Sequence, residues 1–391
     1  MNNLNNNNYI PYGKHSISDD DINEVLAVLK NKNLTQGEYV PRFEKEISKK
    51  VNAKFSVAVN SATSALHLAC MALDVTIGDC VWTSPISFVA SANCALYCGA
   101  KVDFVDIDPY SGLIDIDCLS EKLEKASKNK CLPKVLIVVH LGGCSCNMIE
   151  LQFLAQKYNF LIIEDASHAV GGSYENEPVG NCKYSSITVF SFHPVKIITT
   201  GEGGMATTNN YLIAEKMAKL RSHGIVKNPN EFKSNEKGSW FYEQQLLGFN
   251  YRMNDIQAAL GLSQLKRLDE IVLERNRQLQ YYYKILEDLP LVFLKISEEV
   301  FSSVHLGIIK LKKISPEYYL KVFESLRADG IGVQLHYIPI YRHPYYRKLG
   351  FDEKNFPGAE NYSNSAISIP LFPGLSKEQQ LRVKNSLIRF L

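Results

Sequence analysis

The sequence predicts an α/β protein, with a mainly parallel sheet flanked by helices and a smaller α+β unit after it. Two observations carry this. From Phe55 to Phe192, apolar β-rich runs alternate with helical patterns, and after about Asn254 the alternation gives way to one long helical pattern, then short strands and helices. The length of 391 residues and an apolar fraction of 46% allow a large core and about two to three domains.

The elements follow in order. Ser18 is placed to cap a helix, with Asp21 three residues on, and Ile22, Val25, Leu26 and Leu29 have the spacing of an apolar helical stripe. "FSVAV" (Phe55 to Val59) is a strand, and "NSATSALHLACMAL" after it is a turn opening a helix. "KVDFVDI" (Lys101 to Ile107), "KVLIVVH" (Lys134 to His140), "FLIIED" (Phe160 to Asp165) and "SITVFSF" (Ser186 to Phe192) are further strands, with a helical pattern at Ile149 to Tyr158. Asp255 to Leu289 is one long helical pattern linking two units. The expected division is 1–29, an N-terminal segment packing on the small unit; 30–255, the large unit; and 256–391, the small one.

Bulk properties exclude several classes. Lys+Arg 43 against Asp+Glu 41 leaves a net charge of +2 with no like-charged block, so neither nucleic acid nor a membrane is an expected partner. The start, "MNNLNNNNYIPYG", is asparagine-rich with no signal-like apolar core, and no run of 18 apolar residues follows, so the cytoplasm is expected. The nine cysteines lie between Cys70 and Cys182 without a framework spacing, as reduced thiols do. Cys144 and Cys146 form a lone C-x-C, and zinc there would need two further ligands, so no metal is expected.

In an open α/β sheet, ligands sit beyond the carboxyl ends of the strands. After Val59, "NSATS" is a turn of small residues entering a helix, where free amides suit a phosphate. After Ile163 comes "EDASH", with Asp165 and His168 three residues apart; after "TVFSF" comes Lys196. A phosphate cradle, an acid and a lysine are what pyridoxal phosphate needs: an amine for its aldehyde, a carboxylate for its ring nitrogen and an anchor for its phosphate. Each piece has a plainer reading as well, a surface lysine, a helix-capping Asp, an N-cap serine. "GEGG" lacks the spacing of a dinucleotide fingerprint, and no Walker-type loop is present.

"NSATSALHLA", "SPISFVASAN", "IIEDASHAVGG", "SFHPVKIITTGEGG", "RSHGI", "GFNYRMNDIQAALGLSQL" and "GVQLHYIPIY", in this order, resemble the signature segments of the DegT-type sugar aminotransferases. The resemblance runs from about Tyr12 to the C-terminus. It implies the fold-type I architecture of pyridoxal-phosphate transferases and a homodimer with shared active sites. By position it implies Lys196 as the Schiff-base lysine, Asp165 as partner of the pyridine nitrogen, His168 near the ring hydroxyl and Phe88 on the ring face. Ser61, Ala62, Thr63 and Ser191 would hold the phosphate, and Asn250 would reach a phosphate in the neighbouring subunit. On the sugar side it implies Tyr12, Lys32, Asn33, Leu34, Thr35, His336 and Tyr337. Phe88 as plain core and Asn250 as a turn cap remain the alternatives.

Within the family the segments are most similar to the branch of the pseudaminic-acid pathway that aminates C4 of a UDP-linked 4-keto-6-deoxy sugar, with L-glutamate as donor. Ile197, where proline is common, and the long tract Val226 to Tyr242 depart from that pattern, which keeps an aminotransferase for another nucleotide-linked keto sugar, of viosamine, perosamine or bacillosamine type, as the alternative. Two rivals are a sugar dehydratase of the same family, in which histidine replaces the lysine, and a non-catalytic regulator, which would lack the lysine or the acid. Lys196 and Asp165 argue against both.

Overall fold

The computed structural model describes residues 9–31, 33–236 and 238–391; Lys32 lies outside the described residues. The large sheet has seven strands: β1 (Phe55–Val59), β2 (Cys80–Thr83), β3 (Lys101–Phe104), β4 (Val135–Val139), β5 (Leu161–Asp165), β6 (Ile187–Ser191) and β7 (Gly204–Thr208). Their order is β1-β7-β6-β5-β4-β2-β3, and only β7 runs against the others. The expected strands are all present, shortened by up to three residues.

Two strands escaped the sequence pattern. β2 ("CVWT") is only four residues long, and β7 ("GMATT") is a run of small residues without the branched apolar signal of its neighbours. β7 is held by antiparallel pairing on both sides, to β1 and β6, which is a tertiary cause.

The helices that frame the two units are α1 (Asp19–Asn31), α2 (Tyr39–Val51), α3 (Ala62–Ala72), α4 (Ala90–Tyr97), α5 (Ile116–Lys128), α6 (Met148–Tyr158), α7 (Tyr211–Leu220), α8 (Asp255–Leu265), α9 (Leu268–Ile285), α10 (Pro316–Ala328) and α11 (Lys377–Phe390). Side chains alternate across a strand, and β4 shows what that does here. Val135 and Ile137 pack with Leu66 and Leu68 of α3, while Leu136 and Val138 pack with Leu119 and Leu123 of α5 and Leu151 and Leu154 of α6. With both faces covered, each fully buried aliphatic side chain contributes roughly 1.5–3 kcal/mol relative to exposure.

The long pattern from Asp255 is two helices rather than one. The chain bends at Lys266 and Arg267, whose amides bond back to Ser263 and Gln264, and the Arg267 guanidinium reaches Ser16 O (3.3 Å) and Asp21 Oδ2 (2.7 Å). That tether overrides helical periodicity. α9 then crosses between cores: Leu268, Ile271 and Val272 pack under the large sheet, and Tyr282 packs in the small unit. There β8 (Leu291–Phe293), β9 (Gly307–Leu311) and β10 (Ala366–Ile369) form an antiparallel sheet.

At the N-terminus the expected cap is present, with Ser18 N–H on Asp21 Oδ2 (2.9 Å) and Asp21 N–H on Ser18 Oγ (3.3 Å). The face it buries differs from the apolar stripe. Asp21 and Val28 are buried, whereas Ile22, Leu26 and Leu29 are exposed. The Asp21 carboxylate accepts from Gln264 Nε2 (2.6 Å) as well as Arg267, and these bonds turn the polar edge of α1 toward α8. Ile10 forms a bridge to Ile331 and joins the core of the small unit.

Candidate active site

The carboxyl ends of β1, β5 and β6 open into a cavity of about 470 Å³. Its lining includes Tyr12, Ser61, Ala62, Thr63, Phe88, Asp165, His168, Ser191, Lys196, His336 and Tyr337, so eleven of the expected residues converge on one space. Two larger surface depressions, of about 550 and 720 Å³, contain neither Lys196 nor Asp165.

The phosphate end is built by a helix start. Ser61 caps α3 by accepting from Ser64 N–H (3.1 Å), so it is both the plain N-cap and part of the lining. The amides of Ala62 and Thr63 belong to the first turn, which lacks intrahelical acceptors, and head the helix toward the cavity. Gly204, from the "GEGG" turn, lets β7 pass this start closely. A Cβ there would lie 2.5 Å from Ser61 C and O and 2.6 Å from Ala62 N, a contact that backbone cannot relieve.

The floor is the end of β5. Adjacent residues of a strand face opposite sides, so the "ED" pair divides: Glu164 bonds His140 Nε2 (2.8 Å) and Thr188 Oγ1 (2.9 Å), while Asp165 faces the cavity. Asp165 Oδ2 accepts from Ser91 Oγ (2.6 Å), and Oδ1 accepts from Ser167 Oγ (2.6 Å) and Ser167 N–H (3.2 Å). His168 Nδ1 accepts the Gly142 N–H (3.2 Å), which leaves Nε2–H to donate to Tyr337 Oη (3.0 Å). Burial, then the nearby Lys196 charge, holds His168 neutral, well below the usual imidazole range.

Lys196 is the only lysine or arginine of the lining among the described residues. Burial pulls its ammonium down to about 8, against the opposing pull of the Asp165 carboxylate. His336 Nδ1 pairs with Ser368 Oγ (2.8 Å), and burial followed by Lys196 pulls that imidazole down to about 3. Tyr12 lies against the His336 ring at 5.3 Å between centroids. Phe88 is 58% exposed at the cavity edge, which sets aside the plain-core reading.

The residues fit pyridoxal phosphate on these grounds. A carboxylate fixed by two hydroxyls can hold a pyridine N–H, a lysine of lowered proton affinity can meet an aldehyde, a helix start can hold a phosphate, and an exposed aromatic ring can lie on a flat one. Four expected residues are not brought to the lining. Asn33, Leu34 and Thr35 are exposed beside the start of α8, where Asp255 N–H bonds Leu34 O (3.0 Å). Asn250 is exposed on the stretch entering α8, in a bridge with Ser222.

Sequence reasoning missed Ser91, Ser167, Glu202 and His305. Ser167 stands two residues beyond Asp165 and was within reach of the strand-end rule. Ser91 on α4 and His305 before β9 arrive through tertiary packing alone. The C-x-C thiols are buried in ordinary contacts, Cys146 Sγ with Val139 O (3.3 Å) and Cys144 Sγ with Ser302 Oγ (3.5 Å).

The profile of the DegT/DnrJ/EryC1/StrS aminotransferase family matches residues 15–388. A UDP-4-amino-4,6-dideoxy-N-acetyl-beta-L-altrosamine transaminase of Campylobacter jejuni is 40% identical over 98% of this chain and 97% of its own. The Bacillus subtilis spore coat polysaccharide biosynthesis protein SpsC is 37% identical, covering 95% and 94%. Among solved structures, Helicobacter pylori PseC, an aminotransferase of pseudoaminic acid biosynthesis, superposes with a TM-score of 0.87 at 32% identity, covering 98% of this chain and 99% of its own. The PLP form of the sugar aminotransferase Spr1654 of Streptococcus pneumoniae has a TM-score of 0.87 at 28% identity, covering 98% and 100%. With the match spanning nearly the whole chain and the cavity fitting the cofactor, this protein belongs to the DegT/DnrJ/EryC1/StrS aminotransferase family and is a pyridoxal-phosphate-dependent aminotransferase.

Proposed function

We propose that the enzyme transfers the amino group of L-glutamate to C4 of a UDP-linked 2-acetamido-2,6-dideoxy-4-hexulose, giving UDP-4-amino-4,6-dideoxy-N-acetyl-altrosamine. The observation that carries the transamination is Lys196 in one cavity with Asp165 and the start of α3. The sugar rests on the 40% identity to the Campylobacter transaminase. No helix among the described residues is long and apolar enough to cross a membrane, and we place the reaction in the cytoplasm.

When bound, pyridoxal phosphate supplies an aldehyde carbon and an electron-withdrawing ring. Lys196 Nζ is the base that takes the α-proton of the amino donor and later returns a proton to the sugar at C4. A lysine amine suits both tasks once burial has lowered its proton affinity toward the working pH. Asp165, its two oxygens fixed by Ser91 and Ser167, would keep the ring nitrogen protonated. His168, held neutral, would stand beside the ring hydroxyl, Ser61, Ala62, Thr63 and Ser191 would hold the phosphate, and Phe88 would cover the ring. Tyr12, His336 and Tyr337 bind the sugar, with Lys32, Asn33, Leu34 and Thr35 at its nucleotide-sugar side.

The active unit is a homodimer with shared sites. Asn250 lies outside its own chain's cavity, in a stretch with Trp240 and Leu247, which are 80% and 82% exposed; such apolar surface favours burial against a second copy. The test is incubation of the holoenzyme with L-glutamate and a panel of UDP- and dTDP-linked 4-keto-6-deoxy sugars, with products read by mass and NMR. Formation of 2-oxoglutarate with the UDP-4-amino sugar is expected; a deoxysugar formed without nitrogen transfer overturns the reading.

A further inference from the structure

Four histidines line the cavity; His193 is exposed, with Nδ1 accepting the Val195 N–H (3.4 Å), and two of the three buried ones are hydrogen-bonded. His168 uses both nitrogens, and His336 Nδ1 is paired with Ser368. His305 differs. It is 4% exposed, its ring lies 4.5 Å from that of His168, and it reaches the cavity, yet Nδ1 is buried without a partner and no described residue bonds Nε2. Nδ1 is enclosed, so Nε2 is the ring nitrogen that a ligand in the cavity can meet, and pairing such a polar atom is worth about 1–3 kcal/mol.

The backbone around His305 is held firmly. Its N–H donates to Gly142 O (2.8 Å), and Arg275 Nη1 donates to Val304 O (3.5 Å), His305 O (3.3 Å) and Leu371 O (3.2 Å). Arg275 is 1% exposed, makes no ion pair among the described residues and leaves Nε unpartnered. A buried guanidinium without a carboxylate is costly unless an anion comes near. Burial first, then His168, Lys196 and Arg275, keep His305 well below the usual imidazole range, so the ring is neutral and lies in a positive field. A neutral N–H in a positive field is suited to accept an anion as its partner.

From this geometry we infer that His305, backed by Arg275, positions a carboxylate of the amino donor through its ring N–H. This rests on the transamination reading above. The cofactor phosphate has its own place at the start of α3, and the sugar presents neutral hydroxyls near the reacting C4, its UDP diphosphate being attached at C1 across the ring. The amino donor brings the anion nearest the reacting centre, a carboxylate on the carbon that loses its proton, into a lining whose acids among the described residues are Asp165 and Glu202 and whose one full cation among them is Lys196. His305 acts on the donor half of the reaction and leaves the sugar half alone.

The experiment compares the wild-type holoenzyme with His305→Leu and the milder His305→Gln, which retains an N–H. Glutarate, an unreactive dicarboxylate, is titrated by calorimetry, and KM is measured separately for L-glutamate and the nucleotide sugar. For His305→Leu, glutarate affinity falls and KM for glutamate rises by about ten- to hundredfold, the worth of one hydrogen bond to a charged group. KM for the sugar stays within about threefold, the bound cofactor keeps its absorbance, and His305→Gln falls between. Unchanged glutarate affinity, or equal losses for glutamate and sugar, in either variant overturns the inference while leaving transamination standing. A wild-type enzyme that accepts no amino-acid donor overturns the underlying reading and this one with it.

Discussion

At the floor of the cavity Asp165 has both carboxylate oxygens bonded and His168 both ring nitrogens, all within one chain. Outside the lining, at what the proposed dimer would make a rim, Asn33, Leu34, Thr35 and Asn250 stand exposed, Asn250 three residues beyond Leu247, which is 82% exposed. The floor is made by strand ends and a helix start, whose geometry a single folded chain determines. The rim is made by connecting segments, on which the side chains of Asn33, Thr35 and Asn250 make no hydrogen bond to a described residue. The difference teaches that the floor is a property of the protomer, while whatever the rim residues reach in the proposed dimer is a property of the pair.

Replacing Lys196 attacks the floor directly and has the largest expected effect. Lys196→Ala loses both the proton carrier and the amine for the aldehyde, so turnover falls by at least about 10³-fold and the cofactor's anchored absorbance disappears, with circular dichroism unchanged. Full activity in that variant removes Lys196 from its role.

The rim is sharpened by mixing. Asn250→Ala alone is expected to lower turnover about tenfold or more by weakening a phosphate contact across the dimer. Mixed with Lys196→Ala after subunit exchange, it recovers activity, because half of the randomly assembled dimers then carry one intact composite site, roughly a quarter of wild-type turnover. No recovery on mixing, with exchange verified by mass, means that Asn250 serves its own chain.

The smallest effect concerns stability. In the folded chain the Lys196 ammonium is depressed to about 8 from 10.5, so between these values the unfolded chain binds more protons. Cofactor-free protein therefore gains stability as pH rises through this window and carries the full penalty below about 8. Lys196→Met should melt at a higher temperature than wild type at pH 7, with the gap narrowing toward pH 10. A gap independent of pH refutes the lowered affinity.

Much of this was legible beforehand, and the exceptions share a cause. Asp165, Lys196 and the "NSATS" turn were found because a strand end followed by a polar residue is a local signature. β7 was missed because small residues carry no β signal and its place comes from two antiparallel neighbours. The stripe of α1 was misassigned because the bonds of Asp21 to Gln264 and Arg267, far along the chain, outweigh apolar periodicity. His305 was invisible, since only folding brings it to the ring of His168.

The sequence by itself determined the alternation of strands and helices, the side of the sheet on which ligands bind and the residue types of the cofactor floor. These follow from periodicities of two and 3.6 and from the unmet amides of a helix start, which need no distant partner. Tertiary structure alone decided which acid of "ED" faces the cavity within its serine bonds, where the helix from Asp255 breaks, which edge of α1 is buried and how a guanidinium comes to stand behind His305. In these cases the deciding bonds join residues 30, 74 and 246 positions apart, and no local pattern encodes such a meeting.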